Sequence, residues 1–96
     1  MAQDLEGVEM VSLRPIIVAQ IEKVASEQKL VLAPLTDDLM LGNSGLDSLG
    51  FAILVARLED ELGFDPFSSS NEAYYPATLG DLVRFYEETS RQLAVS

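Results

Sequence analysis

The stretch that decides the fold is residues 45–63, which read GLDSLGFAILVARLEDELG. It begins with the last glycine of a glycine-rich turn, which is followed by an aspartate-serine pair. A periodic apolar segment comes next and ends at another glycine, Gly63. Asp47 is a residue type that caps helix N-termini, and Gly63 is typical of the residue that stops a helix. The pattern predicts a helix from about Ser48 to Leu62, with the serine in its first turn.

Apolar residues occupy two sets of positions on this predicted helix. The first stripe, spaced by four, three and four residues, is Phe51, Val55, Leu58 and Leu62, with Leu54 beside it. The second, rotated away from the first, is Leu49, Ala52, Ile53 and Ala56. A surface helix normally needs one apolar face. The second stripe is therefore either buried against another neighbour or exposed as a contact surface for a partner or an attached apolar group.

Two more long helices are predicted, one on each side of this segment. An apolar residue recurs at helical spacing over about residues 12–28, and Pro15 falls in the first turn, where its missing N–H costs little. Thr78 followed by Asp81 resembles a capping box and predicts the start of a last helix. The expected inner stripes of the two helices are Leu13, Ile17, Ile21 and Val24 in the first and Leu79, Leu82, Val83 and Tyr86 in the last.

The segments between the helices lack a steady period. Residues 30–45 contain proline and a Gly-Asn-Ser-Gly cluster and predict a long loop, which Leu35, Leu39 and Leu41 anchor on the core. Residues 64–76 are turn-rich, with a short helix expected around 71–75. The fold class is thus all-α: a small bundle of three long helices and one short helix with a long first loop. We expect one domain, residues 11–93, between flexible tails at 1–10 and 94–96.

Composition narrows the range of functions. The 96 residues include 16 acids and 6 bases, for a net charge of −10, and neither histidine nor cysteine. The charge disfavours nucleic acid and anionic membranes; it serves solubility or steers the chain toward basic proteins. The usual zinc ligands and the usual general base are missing, so we expect no metal site and no catalysis by the chain itself. Without an 18-residue apolar run or a signal peptide, we expect the protein to be cytoplasmic. Because the sequence starts with Met1 and has no linker composition, we expect it to be free-standing, and we expect a monomer.

Three roles are open to Ser48. It can simply fill the first helical position behind the Asp47 cap. It can be a nucleophile, but the spacing departs from the G-x-S-x-G elbow and no histidine is present to accept its proton. It can be an exposed attachment site, where a phosphoester would suit the helix N-terminus and Gly45 would leave room and flexibility ahead of it.

The residues GLDSL at 45–49 resemble the phosphopantetheine attachment motif of acyl and peptidyl carrier proteins. The similarity extends over residues 35–64, which resemble the first loop and second helix of that family, and over residues 75–88, which resemble its last helix. It implies an acyl-carrier-like four-helix bundle in which Ser48 bears 4′-phosphopantetheine, transferred from coenzyme A by a separate, magnesium-dependent phosphopantetheinyl transferase. The thiol of this arm holds an acyl or aminoacyl group as a thioester. The resemblance also implies that Asp47 helps the transferase to engage, with Gly45 and Leu49 completing the motif.

Departures from the family point to a specialised carrier. Gly50 and Ile53 stand where fatty-acid carriers usually have exposed acids. The expected partner face, for acyl-loading and acyl-transferring enzymes, is Leu49, Ala52, Ile53, Ala56, Glu59 and Asp60. The function expected from the resemblance is shuttling of an acyl group in a fatty-acid, lipid or secondary-metabolite pathway. The alternatives are an aminoacyl or peptidyl carrier and an unmodified acidic module that binds a partner helix.

Overall fold

The computed structural model describes residues 12–69 and 75–95. Over these ranges the chain forms a compact all-α structure without β-strands, as the sequence predicts. In chain order the elements are α1 (Arg14–Gln28), a 3-10 turn (Leu41–Asn43), α2 (Ser48–Leu62), α3 (Pro66–Ser69) and α4 (Leu79–Val95). Among the described residues, no helix combines the length and the apolar character needed to cross a bilayer.

Helix α2 has the boundaries that its end residues predict. The Asp47 carboxylate accepts a hydrogen bond from the Gly50 N–H at 2.7 Å and so caps the first turn. At the other end Gly63 has a φ of 87°, and its N–H donates to the Glu59 carbonyl at 2.7 Å. The helix Ser48–Leu62 is confirmed at both ends.

Helix α1 begins at Arg14, two residues later than expected, because α4 holds the chain that precedes it. The Glu87 carboxylate accepts hydrogen bonds from the Ser12 hydroxyl at 3.1 Å and from the Leu13 N–H at 3.0 Å. Pro15 lies in the first turn of α1, as predicted. The helix ends as expected at Gln28, after which Lys29 adopts a left-handed conformation.

A capping box begins helix α4. The Asp81 N–H donates to the Thr78 hydroxyl at 3.1 Å, and the Thr78 N–H donates to the Asp81 carboxylate at 3.4 Å. Partial burial opposes ionisation of Asp81, but the hydrogen bonds from Thr78 and Arg84 outweigh it and lower its pKa. The helix continues to Val95, so the backbone at 94–95 is helical where a tail was expected. The expected tail at 1–10 lies outside the described residues.

The hydrophobic core lies between α1, α2 and α4. The expected inner stripes of α1 and α4 are confirmed, since each of their eight residues is buried. The first stripe of α2 is confirmed in part: Leu58 and the neighbouring Leu54 are fully buried, whereas the other three members are only half-buried, namely Phe51, Val55 and Leu62. Leu54 and Leu58 are four residues apart and so form one row on the helix, and this row faces the core.

A short helix, α3, precedes the segment in which a short helix was predicted. It covers Pro66–Ser69, whereas residues 71–74 of the expected helix at 71–75 are outside the described ranges and Tyr75 is not helical. Asp65 accepts hydrogen bonds from the Phe67 N–H and the Ser68 hydroxyl, both at 2.9 Å. An aspartate followed by proline is a helix-start signal that the serine-rich composition of the segment obscured.

The long first loop is bonded to the start of α4. The Leu41 N–H donates to the Ala77 carbonyl at 2.8 Å, and the Leu79 N–H donates to the Leu39 carbonyl at 2.9 Å. Of the expected anchors, Leu35 and Leu41 pack against the core, as does Leu32. Leu39 is half-buried and contributes its backbone to this pairing.

Two leucines of α2 test the corrected core face. Leu58 is fully buried and Leu49 is 60% exposed. We expect Leu58→Ala to lower the free energy of unfolding by about 2–5 kcal/mol, because it leaves a cavity. We expect Leu49→Ala, the matched control, to change it by no more than about 0.5 kcal/mol. Urea unfolding followed by circular dichroism measures both; equal losses would contradict the assignment of the core face.

Candidate functional site

Ser48 is the first residue of α2 and is exposed. Two features hold it there: the Asp47 cap immediately before it and the packing of the following turn of the helix. An attachment site needs a hydroxyl that another protein can reach, and the position of Ser48 meets this requirement. Nothing about its surroundings in the described residues encloses it.

The start of α2 offers N–H groups to an anion. The Asp47 carboxylate accepts the N–H of Gly50, and the Asp47 carbonyl accepts that of Phe51 at 2.9 Å. The N–H groups of Ser48 and Leu49 therefore have no partner within the helix. Together with the helix dipole they favour a negative group here by about 0.3–1 kcal/mol, part of which the charge of Asp47 offsets.

Ser44 closes the loop that precedes the site. This side chain is buried, with 2% of its surface exposed. Its hydroxyl donates to the Leu41 carbonyl at 2.7 Å and accepts the Leu46 N–H at 3.2 Å, while its carbonyl accepts the Ala33 N–H at 2.9 Å. Sequence reasoning treated Ser44 only as a turn residue, because its role depends on a contact with the distant Ala33.

Gly45 does not provide the flexibility that we expected. Its φ is 108°, a conformation that residues with a side chain rarely adopt. A Cβ at this position would also collide with the backbone carbonyl oxygen of Val31. The glycine is required because two stretches of backbone come together here, so the loop ahead of Ser48 is tightly packed rather than loose.

A pocket of about 350 Å³ opens beside Ser48. It lies between the first loop, the start of α2 and the segment that leads into α4. Its apolar lining is formed by Leu41, Leu46, Phe51, Tyr75 and Pro76, and Asp47 and Ser48 line it as well. Of the four residues expected to bind the cofactor, Asp47 and Ser48 line this pocket and Gly45 and Leu49 do not. The apolar lining residues were not predicted as a site, because they come from three separate parts of the chain.

The expected partner face is mostly accessible. Its exposed members are Leu49, Ala52, Ala56, Glu59 and Asp60. Ile53 differs, because it is half-buried and packs against the core. The second apolar stripe is thus largely solvent-facing, which excludes the interpretation that α2 is buried on both sides.

Gly50 is buried rather than placed on the exposed side of α2. A Cβ there would lie 3.1 Å from the Asp47 Oδ1 atom and 3.3 Å from the Leu46 Cδ2 atom, distances that leave little space. The missing acid at this position therefore follows from close packing at the helix start. The resemblance implies an exposed position at residue 50, and the burial of Gly50 contradicts that implication.

No protein-family model, curated protein or solved structure matches this chain. Within residues 12–69 and 75–95 no group of three acidic residues could hold a metal ion. The features of this chain that bear on function are therefore the geometry around Ser48 and the motif that contains it.

Two glycines of the same loop test the packing ahead of the site. We expect Gly45→Ala to destabilise the fold by about 1–3 kcal/mol or more, since it combines a strained φ with the Val31 contact. Gly42→Ala is the matched control, because a Cβ at residue 42 meets nothing within 4 Å. Thermal unfolding would compare them. A Gly45→Ala protein as stable as the control would refute the tight loop.

Proposed function

We propose that this protein is a carrier of acyl groups that bears 4′-phosphopantetheine on Ser48. The observation that supports this most strongly is the exposed Ser48 hydroxyl at the start of α2, beside an apolar pocket of about 350 Å³. In this proposal the four helices form an acyl-carrier-like bundle. The aspartate-serine-leucine motif at 47–49 fits the same function.

The residues around Ser48 are suited to a phosphodiester followed by an apolar chain. The N–H groups of Ser48 and Leu49 are available to phosphate oxygens, and the lining of the pocket is predominantly apolar. When bound, the group supplies the thiol that this cysteine-free chain lacks, and cargo is held on that thiol as a thioester.

Attachment requires an outside enzyme, since the chain has no histidine to act as base. In the proposed step the Ser48 oxygen forms a bond to the phosphorus of coenzyme A that carries the pantetheine. The bond from that phosphorus to the adenosine bisphosphate breaks, and adenosine 3′,5′-bisphosphate leaves. The hydroxyl proton passes to a base of the phosphopantetheinyl transferase, and magnesium in that enzyme balances the phosphate charge.

The exposed side of α2 is the proposed docking face for the transferase and for acyl-loading and acyl-transferring enzymes. Leu49, Ala52 and Ala56 offer small apolar contacts, and Glu59 and Asp60 add negative charge farther along. With a net charge of −10, the chain attracts basic surfaces at long range. The proposed cargo belongs to a fatty-acid, lipid or secondary-metabolite pathway, with an aminoacyl or peptidyl group as the alternative.

A second candidate is an unmodified acidic module that binds a partner through α2. The exposure of Leu49, 60% of whose surface is accessible, favours it. In this case Ser48 would need no modification, and partner binding would survive Ser48→Ala. Leu49→Asp is the better probe of this surface than a change at Ile53, because the half-buried Ile53 also supports the core.

The proposal is tested by intact-mass measurement after incubation with coenzyme A, magnesium and a broad-specificity transferase. We expect a gain of about 340 Da, the mass of the added group. Ser48→Ala should abolish this gain, and Ser26→Ala, which alters an exposed serine of α1, should retain it.

A well-characterised carrier protein in the same tube serves as the positive control for the transferase. If that carrier is modified and this chain is not, the carrier function is rejected. A pull-down that compares Ser48→Ala with Leu49→Asp then tests the interaction module. Partner binding that survives Ser48→Ala and is lost in Leu49→Asp supports it.

A further inference from the structure

We propose that the pocket beside Ser48 binds the first part of the arm, the branched segment with two methyl groups on one carbon that follows the phosphate. This inference rests on the proposed function and adds a binding site within it. The arm would then be held against the protein near its attachment point, and only its outer part, which carries the thiol, would move freely.

The position of the pocket identifies this segment as its occupant. Ser48 is itself part of the lining. In 4′-phosphopantetheine one oxygen and one methylene separate the phosphorus from the dimethyl carbon, so this carbon stays close to Ser48 in any conformation of the arm. The thiol lies at the opposite end, beyond two amide bonds, and would have to fold back to reach the same pocket.

The chemistry of the pocket matches the dimethyl group. Leu41, Leu46, Phe51 and Pro76 provide apolar contacts, and the volume is about 350 Å³. A dry apolar cavity of about 150 Å³ already binds benzene in another protein. The pocket therefore has room for the dimethyl carbon and the adjoining hydroxyl-bearing carbon, and the open side leaves the amides to solvent.

Aromatic contacts position one wall of the pocket. The Phe51 ring packs edge-on against Phe67, with 6.1 Å between ring centroids, and Phe67 packs in the same way against Phe85 at 5.0 Å. These contacts join α2, α3 and α4 and hold Phe51 in place. A preset apolar wall lowers the entropic cost of binding a flexible group.

Tyr75 provides the outer wall of the pocket. It is 82% exposed and also lines the pocket, so its side chain is accessible to a group attached to Ser48, which lines the same pocket. An arm segment in the pocket would cover part of this side chain. The arm would consequently leave Ser48 on the side of residues 75–76. Ala52 and Ala56, which belong to the exposed partner face, do not line the pocket, so the arm would point away from them.

The test uses nuclear magnetic resonance on the holo-protein, with isotope-labelled protein and an unlabelled arm. We expect the two methyl signals of the arm to move upfield from their positions in free coenzyme A, because they lie over aromatic rings. We also expect filtered nuclear Overhauser effects from these methyls to the ring protons of Phe51 and Tyr75. Tyr75→Ala should move the methyl signals back toward the free position.

Val31→Ala is the matched control. Val31 is 88% exposed, comparable with Tyr75, and its side chain is not part of the pocket lining. This variant should leave the methyl signals unchanged. Holo-protein that has gained about 340 Da but shows free-like methyl signals and no contact with Phe51 or Tyr75 would overturn the pocket assignment and leave the carrier function intact. Failure to gain the mass would overturn both.

Discussion

The close approach of the Gly45 backbone to the Val31 carbonyl is the constraint on which the candidate site depends. It needs a residue with no Cβ and a φ of 108°, two conditions that only glycine meets together. The hydrogen bonds of buried Ser44 lock the same turn from within. Because the chain enters α2 directly afterwards, these contacts also fix where Asp47 caps the helix and where Ser48 reaches solvent. The closely packed loop at Ser44 and Gly45 therefore holds the exposed Ser48 hydroxyl in a defined position.

A second set of contacts completes the site by joining the loop to α4. Backbone hydrogen bonds at Leu39 and Leu41 place the loop along the residues that precede this helix. Tyr75 and Pro76 are thereby brought opposite the start of α2, and the space between them and Phe51 becomes the pocket. The core between the three long helices sets the distance across that space. The pocket therefore exists because of the tertiary fold, and no short segment could form it alone.

The sequence predicts what local residues determine and misses what distant contacts determine. The ends of α2 were predictable because Asp47 and Gly63 act on their own neighbours. The row of α2 that faces the core was not predictable. Leu54 and Leu58 fit helical spacing, but so do the neighbouring apolar rows, and only tertiary packing decides which row is buried. Exposure of Ser48 follows from its place at a helix start. The role of Gly45 and the lining of the pocket depend on pairings across the fold, which spacing does not reveal.

If the protein is a carrier, the attached arm and the partner enzymes contact different surfaces near Ser48. Ser48 lines the pocket, while Leu49, the next residue, begins the exposed face of α2. A group attached to Ser48 can therefore contact the pocket without covering that face. Along the face the chemistry changes from small apolar side chains to the acids Glu59 and Asp60. Added salt weakens the attraction at the acidic end and leaves the apolar contact. Ionic strength should then slow partner association more than it speeds dissociation, because long-range charge governs encounter and apolar burial governs residence.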